Sequence, residues 1–150
     1  MKRLFTVILI FLASTKYTLA AEPINTTFFG GLAIDGYDTV AYWTENKAVE
    51  GKKQFSYEWW GAIWRFSSED NMKAFIKDPH KYAPEYGGYC AYAMSDNRLV
   101  GIDPEAFDVY NGKLYLNYSK SVQKHWKEEK DKFIEEADGF YPNKVSLPVK

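Results

Sequence analysis

The residue with the widest chemical scope in this chain is its only cysteine, Cys90. It follows the glycine pair Gly87 and Gly88 and stands among three tyrosines. A thiol in this setting can be a soft-metal ligand, a nucleophile or a small buried apolar group. The two glycines indicate a backbone with positive φ or the close approach of another group. The residue types leave all three roles of Cys90 open.

Metal binding is the first chemistry that these residue types suggest. A soft metal such as Cu(I) prefers thiolate, thioether and imidazole ligands, and Cys90, Met94 and His125 form one such set. Met94 follows Cys90 by four residues, so the two share a face only if that segment is helical. Met72 and His80 complete the inventory, and Met72 is better placed in the core. Copper or zinc is the metal expected, although no ligand spacing identifies the cofactor.

Aromatic residues offer a second kind of site. Tyrosine and tryptophan combine a large apolar area with a polar tip, and 18% of the residues are aromatic. We expect a pocket that holds a small organic ligand or a side chain of a partner protein. Its predicted lining is Tyr37, Asp38, Tyr86, Tyr89 and Tyr118. Asp38 is explained equally well as the cap of a short helix.

Nucleophilic catalysis by Cys90 is a third hypothesis. Such a thiol needs a base within hydrogen-bond reach, and His80 and His125 are the two histidines of the chain. Both lie among charged residues, which favours a surface position for each. The sequence therefore assigns no catalytic residue, and a binding protein is preferred to an enzyme.

The N-terminal residues 1–20 predict a signal peptide. Two basic residues are followed by an apolar run over residues 4–13 and by a segment that ends in small residues at Ala20, the order of a secretory leader with its cleavage site. The run is too short for a bilayer, which takes about 20 residues. We expect cleavage after Ala20 or Ala21, no stable membrane insertion afterwards, and a mature protein in the periplasm or outside the cell.

Composition excludes several classes of protein. Loss of the leader removes three basic residues and no acid, so the net charge falls from −1 to −4. No basic block remains that would bind nucleic acid or an anionic membrane. A single cysteine excludes an internal disulfide, a zinc finger of cysteine pairs, a c-type haem site and a dithiol redox motif. The remaining chain suffices for one domain, predicted over residues 22–142, with a C-terminal tail at 143–150.

Two β-hairpins are expected to position the candidate residues. Residues 54–60 and 63–67 are rich in aromatic residues and indicate a first pair of strands. Residues 107–110 and 113–118 flank an Asn-Gly pair, which is the strongest short signal for a hairpin. The two hairpins predict antiparallel sheets.

Helices are expected before, between and after the hairpins. Asp38 precedes a short helix, and a serine cap opens a helix that runs to Lys77. A long C-terminal helix is predicted over residues 119–137, ended by Gly139 and blocked by Pro142. The fold class is therefore α+β: a small domain of antiparallel β-hairpins with short helices and a long C-terminal helix.

Taken in order, the motifs of the chain resemble those of the YHS-domain family in its exported single-domain form. The resemblance covers nearly all of the chain after the leader. It is carried by Gly36-Tyr37-Asp38-Thr39-Val40-Ala41-Tyr42, Tyr57-Glu58-Trp59-Trp60-Gly61, Trp64-Arg65-Phe66-Ser67-Ser68, Asp78-Pro79-His80-Lys81-Tyr82-Ala83-Pro84, Tyr86-Gly87-Gly88-Tyr89-Cys90-Ala91, Asn111-Gly112-Lys113-Leu114-Tyr115-Leu116-Asn117-Tyr118, Trp126 and Ala137-Asp138.

The resemblance implies a treble-clef-like core and a metal-binding role, because shorter members occur in copper-transporting ATPases. Three cysteines of those members fall on Ala41, Ser67 and Asn71 in this chain, so that thiolate set is not carried over. Cys90 belongs to a different motif, to which the resemblance assigns no role. We therefore expect an exported YHS-domain binding module that takes a soft metal through Cys90. The aromatic pocket and the Cys90-dependent enzyme are the alternatives.

Overall fold

The computed structural model of the protein describes residues 21–144, with side chains up to residue 142. The predicted signal peptide at residues 1–20 lies outside the described residues, as does most of the predicted tail at 143–150. Between them, the chain forms two separate antiparallel sheets of two strands each, together with short helices and a long C-terminal helix. The predicted α+β fold class is confirmed.

Helices lie before, between and after the two hairpins. In order they are the 3-10 turn Ile34–Gly36, α1 (Ala41–Thr44), β1 (Lys52–Trp59), β2 (Ala62–Phe66), α2 (Glu69–Lys77), α3 (Pro79–Tyr82), the 3-10 turn Glu85–Gly88, α4 (Ala91–Ser95), β3 (Asp103–Tyr110), β4 (Lys113–Asn117), α5 (Lys120–Glu128) and α6 (Lys130–Lys144). Helix α2 packs on the first hairpin and α5 on the second. No helix within residues 21–144 is both long and apolar enough to cross a membrane.

The first hairpin turns at Trp60 and Gly61, which both have left-handed φ angles, 52° and 72°. Mirror-image turns of this kind match the twist of the flanking strands. In β2, the side chains of Ala62, Trp64 and Phe66 point to the core and are buried, as the two-residue period of a strand requires. The predicted hairpin is confirmed, with its turn one residue earlier than the expected Gly61 and Ala62.

The second hairpin confirms its Asn-Gly signal, since Asn111 and Gly112 have φ angles of 50° and 72°. Strand β4 is buried on both of its faces. Leu114 and Leu116 pack into one hydrophobic cluster, whereas Tyr115 packs into another. The strand therefore forms a partition between two halves of the core.

The two clusters are dominated by aromatic side chains. On the side of the first hairpin, the rings of Trp64 and Phe75 stack with their centroids 5.0 Å apart. On the side of α4 and α6, Tyr115 packs against Trp126 with a centroid distance of 5.2 Å. Complete burial of a large apolar side chain contributes about 1.5–3 kcal/mol. These rings are therefore the main source of stability in both halves.

Serine side chains start two of the helices. The Ser68 hydroxyl accepts a hydrogen bond from the Asn71 N–H at 3.2 Å and begins α2, as predicted. The Ser119 hydroxyl accepts one from the Val122 N–H at 3.2 Å and begins α5. Each cap satisfies a backbone donor that lacks a partner within the helix.

The helix predicted over residues 119–137 is interrupted at Glu129, whose φ of −136° and ψ of 41° lie outside the helical region. The long C-terminal helix is α6, which continues through Gly139 and the following proline to residue 144. The predicted end at Gly139 is therefore wrong. Tertiary hydrogen bonds of Asp138 and Tyr141 hold this last part of α6, and such contacts override the weak helix propensity of glycine and proline.

Candidate ligand-binding cleft

A cleft of about 310 Å³ lies between the first hairpin, the 3-10 turn Glu85–Gly88 and the C-terminal part of α6. The hairpin supplies two tryptophans, α3 supplies a histidine, and α6 supplies a carboxylate and a tyrosine. The lining consists of Ile24, Trp59, Trp60, His80, Ala83, Pro84, Glu85, Tyr86, Gly87, Lys113, Asp138, Tyr141 and Pro142. Most of these side chains are aromatic or apolar, with a few polar groups among them.

One wall of the cleft is a pair of stacked indole rings. Trp59 and Trp60 lie 4.7 Å apart between centroids, with only 14° between their planes. Consecutive strand residues normally point to opposite faces, so the stack depends on the left-handed backbone of Trp60. A left-handed residue other than glycine is disfavoured by about 1–2 kcal/mol. Local strain of this kind is concentrated at functional sites.

His80 stands edge-on to this tryptophan pair. Its ring centroid is 5.3 Å from that of Trp59 and 5.7 Å from that of Trp60, at nearly perpendicular angles. Edge-to-face contacts are a favourable geometry for aromatic rings. The imidazole therefore holds the tryptophan pair in place and adds a polar edge to the cleft.

The opposite wall is built by two tyrosines. The Tyr86 hydroxyl donates to the Asp138 carboxylate at 2.9 Å, and the Tyr141 hydroxyl donates to the Pro23 carbonyl at 2.6 Å. The two rings are 5.9 Å apart between centroids. Burial and the hydrogen bond to Asp138 raise the pKa of Tyr86 far above its ordinary range, so this hydroxyl keeps its proton and acts as a donor.

Gly87 allows the N-terminal segment to close this wall. Its φ is +61°, and a Cβ atom at this position would lie 1.8 Å from the Pro23 carbonyl oxygen. The Gly87 carbonyl also accepts the Asn25 N–H at 2.9 Å. Both readings of the glycine pair, positive φ and close approach, are thus confirmed at Gly87.

Three charged side chains line the cleft. The Lys113 ammonium pairs with the Glu85 carboxylate at 3.1 Å. Asp138 accepts the neutral Tyr86 hydroxyl, and no cation within residues 21–142 lies at ion-pair distance from it. The cleft therefore has one compensated and one uncompensated carboxylate.

The five predicted pocket residues are not gathered in the lining of this cleft. Tyr86 lines the cleft. The Tyr89 hydroxyl donates to the Glu22 carbonyl at 3.1 Å, and Tyr37 forms an isolated antiparallel bridge with Glu50. Tyr118 is 59% exposed. None of these three tyrosines, nor Asp38, belongs to the lining of the cleft.

Asp38 is fully buried and is satisfied within the fold. One carboxylate oxygen accepts the N–H groups of Val40 and Ala41 at 2.9 and 3.3 Å. The other accepts the N–H and hydroxyl of Ser67 at 2.8 and 2.7 Å, and the side-chain amide of Asn71 at 2.7 Å. Five donors thus surround this carboxylate. Asp38 accepts the first N–H of α1, although the N-cap position itself is held by Val40 rather than by the predicted Asp38, and it links this helix to the end of the first hairpin.

The same network tests the thiolate metal site that the sequence resemblance implies. The three positions that match its cysteines are Ala41, Ser67 and Asn71, and in this fold all three contact the carboxylate of Asp38. A soft metal needs thiolate, thioether or imidazole ligands. Amide, hydroxyl and backbone N–H donors that point at a carboxylate supply none of these. The residues therefore do not fit the metal, and a hydrogen-bond network stands in its place.

Cys90 is buried, 1% exposed, and lies at the N-terminus of α4. Its sulfur accepts the N–H groups of Ala93 and Tyr118 at 3.5 and 3.3 Å. Its thiol also contacts the Asn117 side-chain oxygen at 3.7 Å. The thiol therefore has partners on all sides and joins α4 to the end of β4.

The other two members of the predicted metal set have different surroundings. Met94 is fully buried in the cluster around Trp126. His125 is exposed, contacts Glu128 at 3.1 Å and packs edge-on against Tyr92. Among the described residues, no group of three or more histidine, cysteine or acidic side chains is arranged to hold a metal ion.

Sequence reasoning missed most of the cleft. The sequence predicts the tryptophan pair only as part of a hairpin. It predicts a surface position for His80, which is exposed as predicted and also lines the cleft. Trp60 and Gly61 between two strands are a signal that could have found the wall, because a bulky residue in a left-handed turn is unusual. Asp138 and Tyr141 carry no such signal, since their place depends on a helix that continues past Gly139.

One comparison with known proteins finds a matching protein family. Residues 40–86 match the family model of the YHS domain. No curated protein and no solved structure matches the chain significantly. The matched segment contains the two tryptophans, His80 and Tyr86 of the cleft, and it ends before Cys90.

Proposed function

The chain contains a YHS domain at residues 40–86, and from this premise we propose that it is an exported binding module whose aromatic cleft holds a small organic ligand. The observation that carries the proposal is the tryptophan pair. Trp60 keeps a left-handed backbone, and its ring thereby stacks on Trp59 at the wall of the cleft. A sequence under no demand at this turn would place asparagine there, as the second hairpin does.

The size and chemistry of the cleft support a small ligand. Ligand pockets typically measure about 300–1,000 Å³ and combine apolar walls with a few polar groups. At about 310 Å³ the cleft stands at the lower end of that range. Its polar groups are His80, the Glu85–Lys113 pair and Asp138. Aromatic walls with so few polar groups suit a compact organic molecule.

A fragment screen on residues 21–150 tests this function. We expect fragments detected by ligand-observed NMR to quench the intrinsic tryptophan fluorescence, and expect Trp60→Leu to weaken their binding at least about tenfold. Tyr118→Leu is the matched control, because Tyr118 is an exposed aromatic residue outside the lining. Binding that survives Trp60→Leu but is lost in Tyr118→Leu would instead support a pocket around Tyr118, with Tyr37 and Tyr89.

Export remains part of the proposal and has its own test. The leader predicted at residues 1–20 supports it. N-terminal sequencing of the protein from the periplasm and the medium is expected to start at Ala21 or Glu22. A full-length product confined to the cytoplasm would refute export and leave the cleft proposal unaffected.

A second candidate function is the soft-metal role of Cys90. One observation favours it: two backbone N–H groups, from Ala93 and Tyr118, point at the sulfur. Cysteine sulfur is a soft donor of the kind that Cu(I) prefers. Met94 and His125 stay predictions as its partners, and copper and zinc stay predictions as its metals.

Native mass spectrometry distinguishes this candidate. Cu(I) added under reducing conditions is expected to add the mass of one copper ion to residues 21–150 and to leave Cys90→Ser unchanged. Met94→Leu, which preserves volume in the core, and His125→Gln then show whether either residue is a ligand. A protein that keeps its apo mass in the presence of Cu(I) would refute the metal role.

A further inference from the structure

We propose that the ligand of the cleft is a small organic cation, an amine or a quaternary ammonium compound, seated between the Trp59–Trp60 pair and the Tyr86–Asp138 pair. This inference rests on the proposed function of the cleft and narrows its ligand to one chemical class. It is drawn from the charge balance of the lining, the faces of its rings and a matching arrangement elsewhere in the molecule.

The charge balance of the cleft favours a cation. Lys113 and Glu85 compensate each other at 3.1 Å. Asp138 receives only a hydroxyl donor from Tyr86 within the described chain, and this leaves its negative charge in place. An uncompensated carboxylate beside apolar walls is costly to desolvate, so an uncharged ligand that covered it would bind at a penalty. A cationic ligand removes that penalty by supplying the missing charge.

The tyrosines of the cleft respond to this negative field. After burial, which is the largest cause, Asp138 and Glu85 raise the pKa of Tyr86. Glu85 also contributes to the raised pKa of Tyr141, after burial and Tyr89. A field that opposes a further negative charge on these hydroxyls attracts a positive one to the same place.

The ring faces provide the second half of the recognition. A cation over an aromatic face is attracted by the quadrupole of the ring, and tryptophan is the strongest partner. A quaternary ammonium group has no N–H to donate, so ring faces and a nearby carboxylate are the groups that can recognise it. The cleft offers two indoles on one side and a tyrosine with a carboxylate on the other.

The molecule contains the same arrangement with a cation already in place. On its surface, the Tyr110 hydroxyl donates to the Asp131 carboxylate at 2.8 Å. The Lys130 ammonium, which also pairs with Asp108, lies 3.8 Å from the centroid of the Tyr110 ring. Tyr86 and Asp138 repeat this tyrosine–aspartate pair inside the cleft. The Tyr86 ring is itself only 4% exposed, so by analogy the cationic group of a ligand lies at the exposed Asp138 carboxylate, between the Tyr86 hydroxyl and the indole faces opposite.

The test compares two probes that differ only in charge. Choline carries a trimethylammonium group, and its neutral carbon isostere carries a tert-butyl group of the same shape. In calorimetric titrations of residues 21–150, we expect choline to bind at least about tenfold more tightly than the isostere. Asp138→Asn is expected to lower choline affinity by about tenfold and to leave the isostere unaffected, while Glu136→Gln, on the same helix but outside the lining, changes neither.

The outcomes distinguish the claim that the ligand is a cation from the claim that the cleft binds an organic ligand at all. Equal binding of choline and its isostere would overturn the cationic class and leave the cleft as an organic-ligand site. Failure of both probes would also overturn the cationic class, and the fragment screen would then decide the proposed function separately. Thermal unfolding of Asp138→Asn, in parallel with Glu136→Gln, checks that any loss of affinity does not come from a loss of the fold.

Discussion

At the scale of single residues, two buried positions, Asp38 and Gly87, join segments that are distant in the chain. The carboxylate of Asp38 gathers donors from α1, the end of β2 and α2. Gly87 lets the backbone at Pro23 approach the wall of the cleft. The first joins elements through charge-assisted hydrogen bonds, and the second through the absence of a side chain. Each leads to a prediction about stability.

Asp38→Asn is expected to lower the free energy of unfolding by about 2–4 kcal/mol, because hydrogen bonds to a charged group contribute about 1.5–3 kcal/mol and one amide oxygen cannot replace two acceptors. Chemical denaturation of both proteins measures this. Asp78→Asn is the matched control, since Asp78 is an exposed cap of α3 and asparagine caps equally well. Similar losses in the two variants would show that the Asp38 network has no special role.

Gly87→Ala is expected to destabilise the protein by at least about 2 kcal/mol, because left-handed strain adds to a backbone collision. The free energy of unfolding in denaturant is again the measurement. Gly61→Ala isolates the strain, since Gly61 has a φ of +72° and nothing within 4 Å of the added Cβ. If the two variants lost the same stability, the contact with Pro23 would not matter.

At the scale of elements, the two hairpins share one turn geometry but use different residues for it. Asn111 and Gly112 form the second turn with residues that tolerate left-handed φ. In the first, Trp60 takes the asparagine's place at a φ of 52°. In the first hairpin, the residue at the turn is therefore one that disfavours a left-handed φ, and its aromatic ring is positioned at the cleft as a result.

Trp60→Asn is expected to change stability by less than about 1 kcal/mol, because relief of about 1–2 kcal/mol of strain balances the loss of a ring stack worth about 0.5–1.5 kcal/mol. Fragment binding to the cleft should nevertheless be lost. Thermal unfolding and ligand-observed NMR measure the two effects. The reciprocal change, Asn111→Trp, should lower stability by about 1–2 kcal/mol, because an indole residue adopts the left-handed backbone less readily than asparagine. A large loss of stability in Trp60→Asn would identify Trp60 as structural.

The elements also show what the sequence could reveal. Strong local signals predicted both hairpins, the cap of α2 and the α+β class, because turn and cap chemistry acts over a few residues. The sequence did not predict the break at Glu129 or the continuation of α6 past Gly139, because tertiary contacts decide both. The sequence did not predict the cleft for the same reason. Its walls come from segments far apart in the chain, and neither spacing nor periodicity reports their meeting.

At the scale of the whole molecule, β4 divides a core that is unusually rich in tyrosine. Leu114 and Leu116 pack into one half of the core, and Tyr115 packs into the other. Burial is the largest cause of the raised pKa of four tyrosines, Tyr42, Tyr86, Tyr115 and Tyr141. Their ionisation in the unfolded chain is therefore coupled to the stability of both halves.

Stability is expected to fall in alkaline solution. A group whose pKa is raised in the folded state contributes its full stabilisation below its unfolded pKa, about 10 for tyrosine, and loses it as the pH rises further. Each buried tyrosine should then add up to about 1.4 kcal/mol per pH unit to the fall. Denaturant unfolding at a series of pH values measures the slope, and Tyr86→Phe should make it shallower. A free energy of unfolding that stays constant well above pH 10 would contradict this account.

The hydrogen bond between Tyr141 and Pro23 spans 118 positions of the sequence. Ile24 and Tyr141 both line the cleft, so the two ends of the described chain meet at a cleft whose tryptophan wall lies in the matched segment 40–86. The boundaries of the family match are therefore not the boundaries of the cleft. A fragment cut to residues 40–86 would keep the tryptophan pair, His80 and Tyr86, but it would lose Asp138 and Tyr141. A protease that trimmed the chain past Ile24 or Tyr141 would likewise remove part of the lining.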